Sequence, residues 1–124
     1  MDSVIHFEIP TKDMERAKKF YKTLFDWQLQ DMPEMNYCIV RTTEVDEKQM
    51  PKEPGTINGG LMNDETVSSP VIVIRVENLE KKLEDIARAG GTLVMSTVNV
   101  GGMGLYARVR DTEGNIIGVW QDLK

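Results

Sequence analysis

Two hydrophobic periods alternate along the chain. Val4 to Ile9 is a short run of strand-forming residues that stops at Pro10, which has no amide to give to a sheet ladder. From Met14 the period changes: Met14, Ala17, Tyr21, Leu24 and Phe25 recur at helical spacing, while Glu15, Arg16, Lys18, Lys19 and Lys22 take the other faces. Thr11 or Asp13 supplies the cap, a short side-chain oxygen that accepts a bond from an otherwise unpaired amide. Three strand candidates follow, Trp27 to Met32, Met35 to Arg41 and Ile57 to Met62. Between the last two, Glu44 to Gly55 is charged, carries two prolines and reads as an exposed, mobile loop.

The second half repeats this order. Val71 to Val76 predicts a strand, and Asn78 caps a helix with Leu79, Leu83, Ile86 and Ala87 on one face, closed by Gly90-Gly91 in the left-handed conformation. Thr92 to Ser96, Leu105 to Arg110 and Asn115 to Gln121 predict three more strands, the last two joined by the turn Asp111-Thr112-Glu113-Gly114. Sliding one half over the other by 65 positions lays His6 on Val71, Ile9 on Ile74, Asp13 on Asn78 and Met14 on Leu79. Pattern repeats, letters do not, and two tandem βαβββ units account for it. A ferredoxin-like βαββαβ sandwich also has two helices, but it needs only two strands after the first helix where this sequence offers three.

The length, 124 residues, fits a single α+β domain, with residues 1–64 as the first module and 69–124 as the second. Hydrophobic residues make up 40% of the chain and charged ones 28%, a globular balance. Fifteen basic and twenty acidic residues give a net charge of −5 with the signs interspersed, a surface that repels nucleic acid and anionic lipid. The one cysteine, Cys38, lies in an apolar run and reads as a buried structural thiol of a reducing compartment. With no signal-like N-terminus and no apolar stretch of membrane-spanning length, the expectation is a cytoplasmic protein without targeting signals. The eight methionines are scattered and read as adaptable core filler.

Three stretches carry a resemblance. His6-Phe7-Glu8-Ile9-Pro10 is followed by Met14 to Lys22 with Phe20-Tyr21, and then by Leu24-Phe25-Asp26-Trp27. Ala89-Gly90-Gly91 closes the second helix, and Tyr106 to Asn115 contains Asp111-Thr112-Glu113-Gly114-Asn115. In this order and spacing they resemble the glyoxalase/bleomycin resistance protein/dioxygenase superfamily, also called the vicinal oxygen chelate superfamily. Asp26 stands where that family usually has glycine, which aspartate tolerates in a left-handed cap, and Thr112 stands where it has proline. The resemblance implies two βαβββ modules whose mixed sheet curls around an open cleft, and a homodimer whose partner copy covers sheet edges.

It also implies four inward-facing ligands for a divalent metal, from the first and fourth strands of each module. His6 matches the first position. The second falls on Gly60, with Asn58 the only weak oxygen donor nearby, the third on Val71, and the fourth on Gly118. Gln121, three residues on, projects to the opposite face of a regular strand. One histidine does not hold a transition metal tightly, so the expected cofactor is none, with His6 the only matching ligand.

Strand alternation puts Glu8 beside His6 and sets Ile5, Phe7 and Ile9 on the other face. The same parity groups Val71, Val73 and Arg75 with Gly118 and Trp120. The expected ligand-binding cleft is therefore lined by His6, Glu8, Arg75 and Trp120, an imidazole, a carboxylate, a guanidinium and an indole suited to a small polar molecule with an unsaturated part. The competing reading is structural, with Glu8 and Arg75 as an ion pair and His6 and Trp120 as packing. His6 and Glu8 are also a potential acid and base pair, but nothing in the sequence identifies a substrate. No Ser/His/Asp set, phosphate loop or paired-cysteine motif is present. Two functional classes follow, a metal-independent small-molecule binder and a lyase, isomerase or dioxygenase-like enzyme.

Overall fold

The computed structural model describes all 124 residues, which gather into two compact units, His6–Pro70 and Met1–Ile5 with Val71–Lys124. The fold class is α+β, and the chain runs through βαβββ twice. The first strand, β1 (Val4–Pro10), straddles the division, because the Ser3 carbonyl accepts a bond from the Arg75 amide at 2.9 Å and draws the opening residues to the second unit.

In the first unit β1 leads to α1 (Met14–Phe25), β2 (Gln28–Met32), a single 3-10 turn at Pro33–Met35, β3 (Tyr37–Arg41) and β4 (Asn58–Met62). The strands lie in the order β2, β3, β4, β1, with β4 and β1 parallel and the rest antiparallel. Of the two cap candidates the chain uses Asp13, whose carboxylate accepts from the Arg16 amide at 3.1 Å. Asp26 ends α1 at φ 59°, so the left-handed position is filled by aspartate as expected. One side of the sheet packs Phe7, Ile9, Cys38, Val40, Leu61 and Leu29 against Met14, Ala17 and Tyr21 of the helix, with Trp27 stacked on Tyr21 at 4.8 Å.

The apolar stripe of α1 is shorter than its spacing predicts. Leu24 and Phe25 are 60% and 57% exposed, because the sheet of this module meets the helix only through its first two turns and through Tyr21. The loop over residues 44–55 is largely exposed, and Asp46 ties it by accepting bonds from the amides of Lys48 and Met50.

The second unit comprises β5 (Val71–Arg75), α2 (Leu79–Arg88), β6 (Thr92–Val100), β7 (Gly104–Arg110) and β8 (Ile116–Asp122), in the order β5, β8, β7, β6. Asn78 caps α2 through a bond from the Lys81 amide, and Gly90 follows it at φ 102°, a conformation open to glycine at no steric cost. Val76, Leu79, Ala107, Val109 and Val119 form the core here, packed by Ile74, Leu83, Ile86, Leu105 and Ile117. β6 runs four residues past the predicted end at Ser96, and its two register shifts against β7 explain why no clean alternation marks it in the sequence.

Candidate functional site

The helix-packed side of each sheet is fixed by its core, so the other side is fixed as well. In the first unit Phe7 and Ile9 face α1, which sends His6 and Glu8 to the opposite face. Glu8 pairs in register with Gly60, and His6 with Asn58. Glu8 is only 6% exposed. Asn58 turns its side-chain oxygen to the amides of Thr42 and Thr43, at 2.8 and 3.3 Å, and so serves the loop.

Tyr37, on β3, joins this face. Its hydroxyl is 2.9 Å from His6 Nε2, and its ring lies over Gly60 so closely that a methyl group there would overlap the phenol. Burial holds the His6 imidazole below its ordinary value of 6.5, against the opposing charge of Glu8, so the ring is neutral at pH 7.

The second unit repeats the arrangement. Ile74, Ala107 and Val119 face α2, which leaves Val73, Arg75, Tyr106, Arg108, Gly118 and Trp120 on the other side. Gln121 shows the helix-side parity directly, because its side-chain oxygen accepts from the Leu79 amide at 2.7 Å. Tyr106 lies over Gly118, where an added Cβ would come within 2.7 Å of the phenol oxygen. Arg108, 5% exposed, donates from Nε to that oxygen at 3.0 Å.

Arg75 and Trp120 are register neighbours, and Asp122 engages both: the indole Nε1 donates to it at 2.7 Å and an Arg75 nitrogen lies 3.6 Å away. The indole covers Gly104, which has no side chain to hold it off. Arg75 also borders a cavity of about 400 Å³ with Met1, Asp2, Ser3, Val76, Glu77 and Asp122. A second cavity, about 270 Å³ and apolar, lies between α2 and β6 around Leu83, Ile86, Leu93 and Val109. Neither cavity takes in His6, Glu8 or Trp120.

The structure thus brings His6 and Glu8 to one face of the first module, and Arg75 and Trp120 to one face of the second. Sequence reasoning missed Tyr37, Tyr106, Arg108 and Asp122. Period-two parity in β7 was the available signal for Tyr106 and Arg108, since both alternate with the core residues Ala107 and Val109. Cys38 is fully buried, its thiol raised above the ordinary range first of all by desolvation.

The family's metal does not fit these residues. Gly60, Val71 and Gly118 offer no donor atom, and tyrosine rings fill the space a side chain on either glycine would need. Nowhere do three or more histidine, cysteine, aspartate or glutamate side chains gather as a metal-holding group.

A family model described as bleomycin resistance protein-like, N-terminal, matches residues 3–43. CFP32 of Mycobacterium bovis, named as a glyoxylase, is 24% identical over 129 aligned positions that take in 92% of this chain. The chain spans 43% of the length of that relative. A solved glyoxalase/bleomycin resistance protein/dioxygenase superfamily member from Vibrio splendidus superposes with a TM-score of 0.68 at 12% identity, over 98% of this chain and 100% of the other. Streptomyces coelicolor methylmalonyl-CoA epimerase, solved with 2-nitronate-propionyl-CoA, does so at 0.66 and 10%, over 98% and 97%.

Paired βαβββ modules define the class of fold. The chain carries the fold of a solved member of the glyoxalase/bleomycin resistance protein/dioxygenase superfamily.

Proposed function

We propose that this chain is a metal-independent member of its superfamily that binds a small organic molecule. In this reading the binding groups are His6 and Glu8 on one face of the first module and Arg75 and Trp120 on one face of the second. The observation that carries it is the chemistry at the fourth strands: glycines under tyrosine rings stand at two of the four ligand positions, and valine at a third. The faces that bear those positions still present an imidazole, a carboxylate, a guanidinium and an indole, groups that recognise a polar molecule through hydrogen bonds and stacking.

The reading includes a homodimer and a reducing, cytoplasmic setting. Buried Cys38 supports the latter. Native mass spectrometry of freshly purified protein tests ligand, metal and dimer together. A small organic mass retained without metal on a dimer is the expected result, and a stoichiometric metal ion would overturn the reading.

The glyoxylase name of CFP32 and the epimerase among the structural neighbours favour a second reading, a lyase, isomerase or dioxygenase-like enzyme. Turnover by metal-replete protein that chelation abolishes would select it over the first.

A further inference from the structure

The two modules have lost their fourth-strand ligands in the same way. Gly60 pairs with Ile39 of β3 and Met62 with Tyr37. Gly118 pairs with Arg108 of β7 and Trp120 with Tyr106. Tyr37 and Tyr106 therefore hold corresponding places, each two residues before the partner of its glycine, and each leans back over that glycine. Each hydroxyl is anchored by a polar neighbour on the same face, His6 Nε2 at 2.9 Å in one case and Arg108 Nε at 3.0 Å in the other. Glycine weakens a strand interior, because it adds backbone entropy and offers no side chain to pack. Its presence at both positions calls for a steric reason, and the rings supply one.

We propose that Tyr37 and Tyr106 have taken over the two fourth-strand ligand positions, so that in each module a glycine makes room for an anchored phenol where the superfamily's metal ligand would stand. This deepens the metal-independent reading and rests on it for function, but the exchange of ligand for phenol is testable with no ligand in hand.

The first test is a pair of double-mutant cycles read by thermal melting of the full chain. Gly60→Ala is expected to lower Tm by about 5–10 °C, the scale of forcing a methyl group into a filled space. In the Tyr37→Ala background the same change is expected to leave Tm unchanged or raise it, because alanine suits a strand better than glycine once the ring is gone. Gly118→Ala with and without Tyr106→Ala repeats the cycle where the overlap is milder, and serves if a variant of the first pair does not fold. Equal losses in both backgrounds, or no loss at all, overturn the proposal.

The second test uses nickel(II) as the probe. Gly60→Glu in the Tyr37→Ala background is expected to bind nickel at least about tenfold more tightly than Gly60→Glu alone, with His6 as the neighbouring ligand. Nickel affinity independent of Tyr37 shows that the phenol does not occupy the ligand's place. A metal found on the unaltered protein would instead defeat the broader reading and leave the melting cycles to decide the exchange.

Discussion

The Trp120 indole donates its N–H to Asp122 at 2.7 Å, and the same carboxylate stands 3.6 Å from Arg75. Asp122 thereby fixes an aromatic plane and a cation side by side on β8 and β5. An aromatic face beside a guanidinium suits a flat or unsaturated molecule with a carbonyl or acidic group.

Trp120→Leu is therefore expected to weaken binding of any ligand retained by the protein by about 1–2 kcal/mol, the loss of aromatic stacking, with the fold intact. Trp27 is stacked on Tyr21 in the first module and adds background fluorescence, which Trp27→Phe removes. Titration followed by the remaining indole checks this. Unchanged affinity in Trp120→Leu would remove the indole from the site.

His6 gives a pH dependence of known sign. Its folded-state pKa lies below 6.5, mainly through burial, so in the interval between the two values the unfolded chain binds more protons than the folded one. Its contribution to stability is complete above 6.5 and is lost as pH falls from 6.5 toward the folded value. Urea midpoints measured from pH 7.5 down to 5 should decline in that window, and His6→Gln should flatten the decline. An equal slope in the variant would assign the effect to other groups.

The strand faces were legible because period two and a known core side leave no freedom: once Phe7 and Ile9 pack on the helix, His6 and Glu8 must face away. The caps at Asp13 and Asn78 were legible for a similar local reason. Tyr37 was not, because its position over Gly60 depends on the register of β3 against β4 across a loop from Thr42 to Ile57, which no local pattern encodes. Leu24 and Phe25 matched the helical period yet stay exposed, since spacing reports a face but not how far the opposing sheet extends. Asp122 fell one residue past the predicted end of its strand, within the usual uncertainty of element boundaries.

A homodimer is the expected state in solution. Each module ends its sheet in an outer strand, β2 in the first and β6 in the second, and β6 exposes Leu93, Val94 and Val98 along its length. Unpaired strand edges with apolar side chains favour cover by another chain, and a two-fold partner supplies it without further components. Light scattering at micromolar concentration should give twice the 14.1 kDa chain mass. A monomer mass across that range would count against it.

Purified protein is expected to carry less than one equivalent of divalent metal after dialysis. Three of the four positions where the superfamily places ligands hold Gly60, Val71 and Gly118, and His6 spends its Nε2 on the Tyr37 hydroxyl at 2.9 Å. Depressed basicity at His6 does not by itself prevent coordination, because a neutral imidazole is the form that binds metals. What is missing is the remainder of the shell: a transition metal takes three or four protein donors, and no second one is within the first module's ligand positions. Elemental analysis of dialysed protein and of His6→Ala separates the cases. Zinc, nickel, iron or manganese held at one equivalent by the unaltered chain, and lost from His6→Ala, would show that donors outside these positions complete a site around His6.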